Sequence, residues 1–284
     1  STSGSKVEAT TKMTTAKSHN LYAQWDPYKY RVKFNYSGGT LNGATSHGED
    51  IKYTQLYTFP IPKKSGYSLQ KWECDKTSEE FLCDSNGNLT KTLPYLGVND
   101  SEVIFKAVWK PNNYTLTADA NLSGASFVSA NGWAGSGLTR TKQVAFDASY
   151  GALPQVEREG YTPVGWFSAR DEGGVAVTEN TIMDAVGGKT IYQHWTINKY
   201  ILYFDTQGGV LSGSNQKMLE YNAFYGTLPT PKKDGYIFKG WVASPGGNDY
   251  VSQSSRMGAK NVTIYADWQE VWANKAVGLN LSEL

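Results

Sequence analysis

The 284 residues predict an α+β, mostly β chain built from small modules in tandem. Three observations point there. The chain carries 9 Trp, 19 Tyr, 10 Phe and 29 Gly but only 4 Met, a balance that suits short strands and turns better than helical bundles. Its apolar residues alternate with polar ones over short windows, as in Tyr30-Arg31-Val32-Lys33-Phe34, which is the period of a half-buried strand. It also repeats itself, and a repeat decides the architecture. The charge balance, 27 Lys+Arg against 26 Asp+Glu, excludes an electrostatic nucleic-acid binder, which needs a basic excess. No apolar run approaches the ~20 residues of a membrane-spanning helix. An aromatic fraction of 13 % excludes a disordered chain of low hydrophobicity. Residues 1 to 20 are polar and Thr/Ser-rich, without a secretory leader, so the chain reads as a piece of something longer.

The elements follow from the repeats. Opening strands are expected at Tyr30 to Phe34, Tyr114 to Ala118 and Tyr200 to Phe204. Gly38-Gly39 and Gly208-Gly209 then read as turns or bulges, because glycine tolerates positive φ. A second strand returns at Ile51 to Tyr53 and Met218 to Tyr221. Tyr225 to Leu228 can hold a turn or two of helix before Pro229 and Pro231 break it. A Pro-rich approach leads to Gly66-Tyr67, Gly160-Tyr161 and Gly235-Tyr236, each followed by a strand carrying Trp72, Trp166 or Trp241. Closing strands end at Trp25, Trp109, Trp195 and Trp268. The expected organisation is therefore residues 1–25 as the second half of a unit, 26–109, 110–195 and 196–268 as three full units, and 269–284 as a tail. That tail, with Val271, Trp272, Val277, Leu279 and Leu281, reads as a helix or the start of another domain. Units this small bury only about 60 % of their surface, and the large aromatics compensate, each removing ~150–250 Å² from water.

The opening Tyr-x-Val/Leu-x-Phe strand, its Asp205-x-x-Gly208-Gly209 turn, the Leu228-to-Trp241 stretch and the closing Ile264-Tyr265-Ala266-x-Trp268 resemble the Listeria–Bacteroides repeat, also found as the B repeat of internalins. The likeness covers roughly residues 4 to 268 and is strongest in the last unit. The first unit has Lys71 where Gly240 stands, and the second has an enlarged loop from Ser126 to Thr141. The resemblance implies a β-grasp, ubiquitin-like fold. It also implies tandem, elongated arrays on secreted or wall-attached bacterial surface proteins, acting as spacers or adhesive stalks without catalytic residues.

A search for chemistry returns little. His19 and His194 fall at slots filled elsewhere by Val262 and Asp267, and His47 has no second histidine nearby, so no metal ligand set forms. Asp84-Ser85-Asn86-Gly87-Asn88 has alternating oxygen ligands but no distal Glu, and reads as an Asn-Gly hairpin turn rather than a calcium loop. Nucleophile-elbow and phosphate-loop motifs are absent from the sequence. No cofactor is expected, and the chain is not expected to be an enzyme. Lys63-Lys64 and Lys232-Lys233 have Glu157-Arg158-Glu159 as counterpart, so the sign of the charge does not read as kept. Cys74 and Cys83 flank a turn, and in an exported protein that spacing favours a disulfide over two free thiols. Aromatics that recur in every unit read as core. Those confined to one unit, Tyr36, Tyr95, Trp133 and Tyr250, are the binding candidates, and Trp133 stands out in its long insertion.

The expected function is a non-catalytic stalk or adhesion segment of an extracellular bacterial surface protein, monomeric and extended, with a host surface protein or glycan as possible contact. The alternatives are a glycan- or protein-binding module using the loop of the second unit, or an accessory region of a secreted enzyme.

Overall fold

In the computed structural model, which describes residues 5–97 and 102–271, the alternation seen in the sequence becomes an alternation of burial. Strand β1 (Lys29–Asn35) buries Tyr30, Val32 and Phe34 and exposes the residues between them. The chain divides into two compact units, residues 1–112 and 113–284.

The first unit continues with β2 (Ser46–Lys52), β3 (Leu56–Thr58), β4 (Tyr67–Cys74), β5 (Phe81–Leu82), β6 (Thr90–Thr92) and β7 (Glu102–Pro111). Five of these form one sheet in the order β2-β1-β7-β4-β5, with β3 and β6 as a separate ribbon. The central pair β1 and β7 runs parallel and the remaining neighbours antiparallel. Phe34 sits at the middle of the core, with Trp72, Phe59 and Phe105 at ring distances of 5.2, 5.5 and 5.6 Å. Edge-on and stacked pairings of this kind contribute beyond simple burial.

The second unit holds β8 (Asn113–Asp119), β9 (Ser126–Ser129), β10 (Thr139–Ala145), β11 (Gln155–Glu157), β12 (Tyr161–Phe167), β13 (Ala176–Val177), β14 (Lys189–Ile197), β15 (Lys199–Asp205), β16 (Gln216–Glu220), β17 (Tyr236–Val242), β18 (Tyr250–Val251) and β19 (Val262–Glu270). They form two five-stranded sheets, β10-β8-β14-β12-β13 and β16-β15-β19-β17-β18, and the ribbon β11-β9. Each sheet again pairs its opening and closing strands in parallel. All three sheets carry a bulge at the same place, one residue before Lys71, Gly165 and Gly240.

The closing tryptophans fasten each sheet. Trp109 Nε1 donates to the Tyr36 carbonyl at 2.9 Å, Trp195 to Ala120 at 2.7 Å and Trp268 to Thr206 at 2.9 Å. In two units the ring lies on the turn glycine so closely that a Cβ would come within 2.4 Å (Gly39) or 2.5 Å (Gly209) of it. The second glycine of each Gly-Gly turn is thus demanded by the tryptophan. Between the two sheets of the second unit, Asn198 acts as a staple. Its N–H donates to the Gly160 carbonyl at 2.9 Å, its carbonyl accepts from Tyr221 N–H at 2.8 Å, and its Oδ1 accepts from Thr162 Oγ1 at 2.7 Å. Tyr161 and Tyr221 meet edge-on at 6.0 Å.

The described residues are all β. No helix forms at Tyr225 to Leu228, where Tyr225 and Gly226 instead bond to Ser255 and Gln253 carbonyls. Residues 5–28 carry no strand, and Leu21, Tyr22 and Trp25 are 74, 80 and 87 % exposed. In each of the three sheets the closing strand is central. The reading of the tail falls on residues outside those described, apart from Gln269, Glu270 and Val271.

The disulfide is not formed: Cys74 and Cys83 are both free. The register of β4 on β5 pairs Lys71 with Leu82 and Trp72 with Phe81. Cys83 N–H bonds to the Gln70 carbonyl, placing it beside Gln70 rather than Cys74. Four residues of strand separate Cys74 from Gln70, about 13 Å, well beyond the ~7 Å that a bridge tolerates. Both thiols pack against the core instead, and burial raises the pKa of both, that of Cys83 to about 11.

Candidate functional site

The four unit-specific aromatics end in four different environments. Tyr36 is 1 % exposed and its ring meets Trp72 at 6.1 Å. Its side chain is core and offers no face to a ligand, a correction to its reading as a binding residue. It follows directly after β1, where alternation returns the chain to the buried face.

Trp133 lies half-buried against the second unit's core. Its Nε1 donates to the Ala152 carbonyl at 3.2 Å, and Lys142 Nζ sits 4.6 Å from its ring while bonding to the same carbonyl at 3.1 Å. Burial lowers the pKa of that lysine. The insertion therefore folds back on its own unit, with one side of the indole covered by Lys142.

Tyr250 is 46 % exposed on the edge strand β18, over Gly240, where a Cβ would approach its ring to 3.1 Å. Its hydroxyl donates to Asp267, which also pairs with Lys239 at 2.9 Å. Hydrogen bonds from Tyr250 and Lys239 hold the Asp267 carboxyl below its ordinary range.

Tyr95 is the most exposed of the four, at 57 %. Its ring lies 5.5 Å from Tyr28 and 6.1 Å from Tyr53. A hydrogen bond with Tyr28 raises its pKa. Tyr28 and Tyr53 are joined by Tyr53 N–H donating to the Tyr28 carbonyl at 2.7 Å. The three tyrosines form one surface cluster, and only Tyr95 was legible as a candidate.

Two further groupings went unrecognised. Glu49 on β2 accepts from Tyr57 and pairs with His47 Nε2 at 3.0 Å, and this raises the Tyr57 pKa together with burial, the larger cause. In every unit a cation stacks on the tyrosine of the Gly-Tyr turn: Lys64 at 4.3 Å from Tyr67, Arg158 at 5.8 Å from Tyr161 and Lys233 at 4.4 Å from Tyr236. Positive charge is thus kept at the second position of each pair, and comparing dipeptides as blocks concealed it.

The histidines remain apart. His19 bonds to Thr15, His47 to Glu49, and His194 stacks on Phe167 at 4.1 Å with Nε2 near the Ala169 carbonyl. Among the described residues no group of three or more His, Cys, Asp and Glu could hold a metal. The Asp84 carboxylate accepts from the N–H groups of Asn86 and Asn88, each at 2.8 Å, so its oxygens close an Asx-type turn around Gly87 (φ +83°).

The family model of the Listeria–Bacteroides repeat domain matches residues 30–90, 125–193 and 200–267. Two proteins of Evansella cellulosilytica, described as a Gly-rich membrane protein and a membrane protein, are 24 % and 26 % identical over 88 % and 87 % of this chain. Internalin H of Listeria monocytogenes is 35 % identical over 39 % of it. The chain spans 25, 34 and 20 % of the lengths of these relatives.

Proposed function

The chain belongs to the Listeria–Bacteroides repeat domain family, and we propose that it is a non-catalytic spacer on a bacterial cell surface, its units held in series to project or assist a contact region. The observation that carries this reading is one sheet built three times with the same parallel centre, the same bulge and the same tryptophan fastening. Repetition of a core serves position and reach, and adjacent repeats behave as a quasi-one-dimensional series. The strand order, with opening and closing strands parallel at the centre, supports a β-grasp reading of each sheet. The internalin and membrane-protein relatives support a surface location.

The links between closing and opening strands support an extended arrangement. Only Asn112 lies between β7, which ends on Pro111, and β8, and only Asn198 lies between β14 and β15, which leaves little slack for bending. Small-angle scattering tests this. A radius of gyration well above the ~19 Å of one compact body of this length is the expected result, and a value near ~19 Å rejects the spacer.

A second reading, contact with a host protein or glycan, is favoured by the exposed Tyr28–Tyr53–Tyr95 cluster. A glycan and protein array should then show hits that Tyr95→Ala removes and Trp133→Ala leaves in place. Hits untouched by Tyr95→Ala reject that cluster as the contact.

A further inference from the structure

The cluster of Tyr28, Tyr53 and Tyr95 is one half of a junction that the chain builds in full elsewhere. The full junction centres on Asn198, between the two sheets of the second unit. Asn198 N–H donates to the Gly160 carbonyl at 2.9 Å, and its carbonyl accepts from Tyr221 N–H at 2.8 Å. The Tyr221 ring lies over Gly160, so close that a Cβ there would come within 2.1 Å of it, and meets Tyr161 edge-on at 6.0 Å. The Gly-Tyr turn of one sheet is thus seated under a tyrosine of the next.

The same positions recur at the start of the first sheet. Tyr28 directly precedes β1 as Asn198 precedes β15, and Tyr53 follows β2 as Tyr221 follows β16. The registers agree, with Lys29 opposite Lys52 and Lys199 opposite Glu220. Tyr53 N–H donates to the Tyr28 carbonyl at 2.7 Å, and the next residues, Thr54 and Asn222, both adopt positive φ, +69° and +62°. Tyr28 also stands three residues after Trp25, as Asn198 stands three after Trp195. The other half is missing among the described residues. Tyr28 N–H donates to none of their backbone carbonyls, and the Tyr28 and Tyr95 rings are exposed. The last sheet shows the converse. Val271, three residues after Trp268, donates to the Gly235 carbonyl at 2.9 Å, yet no ring covers Gly235, where a Cβ would meet no described residue within 4 Å.

We propose that the Tyr28–Tyr53–Tyr95 cluster is the seat for the Gly-Tyr turn of a preceding repeat of this same family, the repeat to which the closing-strand sequence Leu21 to Trp25 belongs. Tyr28 N–H donates to the glycine carbonyl of that turn and the Tyr53 ring closes over the glycine. Tyr95, 5.5 Å from Tyr28 and 6.1 Å from Tyr53, backs both rings. The occupant must offer glycine, because the covering ring leaves no room for a Cβ, and an aromatic residue beside it to meet Tyr53 as Tyr161 meets Tyr221. Clustered exposed aromatics mark an interface. The inference deepens the spacer reading and rests on it, since each such junction fixes one repeat on the next. It gives the cluster an occupant other than a host protein or glycan.

The test places a repeat there. A second copy of residues 196–270, the last repeat with its own turn, replaces residues 1–27, so that its Trp268 stands three residues before Tyr28 as it does before Val271. Nitration by tetranitromethane, mapped by mass spectrometry, reads the tyrosines, and backbone hydrogen exchange reads the fold of the added repeat. Tyr28 and Tyr53 should react roughly tenfold more slowly than in the original chain, as for a junction open about a tenth of the time. Gly235→Ala in the added repeat should restore their reactivity. The same substitution in the last repeat, at the same φ of +77° but with nothing over the glycine, should leave them protected. Unchanged reactivity beside a folded added repeat, an added repeat that does not fold, or protection lost equally with either substitution overturns the proposal. An extended particle with reactive tyrosines rejects the junction and leaves the spacer standing, whereas a compact particle rejects the spacer whatever the tyrosines do.

Discussion

Single residues decide whether these small sheets close. Gly209 is the sharpest case, because any Cβ there lands 2.5 Å from the Trp268 ring. Gly209→Ala should cost about 1–3 kcal/mol, the range for overpacking, read as a lower denaturant midpoint. Gly213, with open space around it, should tolerate alanine with little change. The cysteines make the opposite kind of prediction. Mass spectrometry without reductant should show two free thiols, and reductant should leave the melting temperature unchanged. Alkylation at pH 8 should be slow, since a Cys83 pKa of about 11 leaves little thiolate. Asp267 gives a pH signature. Its folded pKa is depressed by Tyr250 and Lys239, so the contribution is full above the ordinary value of 3.8 and is lost as pH falls through the folded value. The melting difference between the chain and Asp267→Asn should therefore be present at pH 7 and vanish near pH 2.

At the scale of elements, much was legible because strand periodicity is local. The opening strands fall where alternation placed them, and three of the four closing strands fall at their terminal tryptophans, while Trp25 lies in no strand. Tyr36 shows the limit. Its restriction to one unit suggested function, yet it only continues the buried face of β1 past the strand's end. The cysteine bridge failed for a related reason, since sequence spacing does not reveal the β4–β5 register that sets Cys74 and Cys83 apart. The replacement of the sister sheets' alanine by Gln193 was hidden more deeply. It exists only as a difference between aligned positions, Gln193 against Ala266, and the bulges that align them emerge from pairing. The Asn198 staple is likewise a product of strand geometry. Gly160→Ala places a Cβ about 2.1 Å from the Tyr221 ring at φ +75°, and should split the unfolding of the second unit into two calorimetric transitions where the parent shows one.

At the scale of the whole molecule, the proposed spacer requires that three separately cored sheets carry load in series. Each is fastened by its own closing tryptophan, and each pairs its first and last strands in parallel at the centre. Pulling on the chain ends therefore loads that central pair in shear, where its hydrogen bonds resist together. Single-molecule extension of the full chain measures this most directly. The expected record holds three unfolding steps, each releasing on the order of 25 nm of contour, the length of 70 to 85 extended residues. One cooperative rupture releasing the whole chain at once, or smooth extension without steps, would contradict a spacer built from repeated cores.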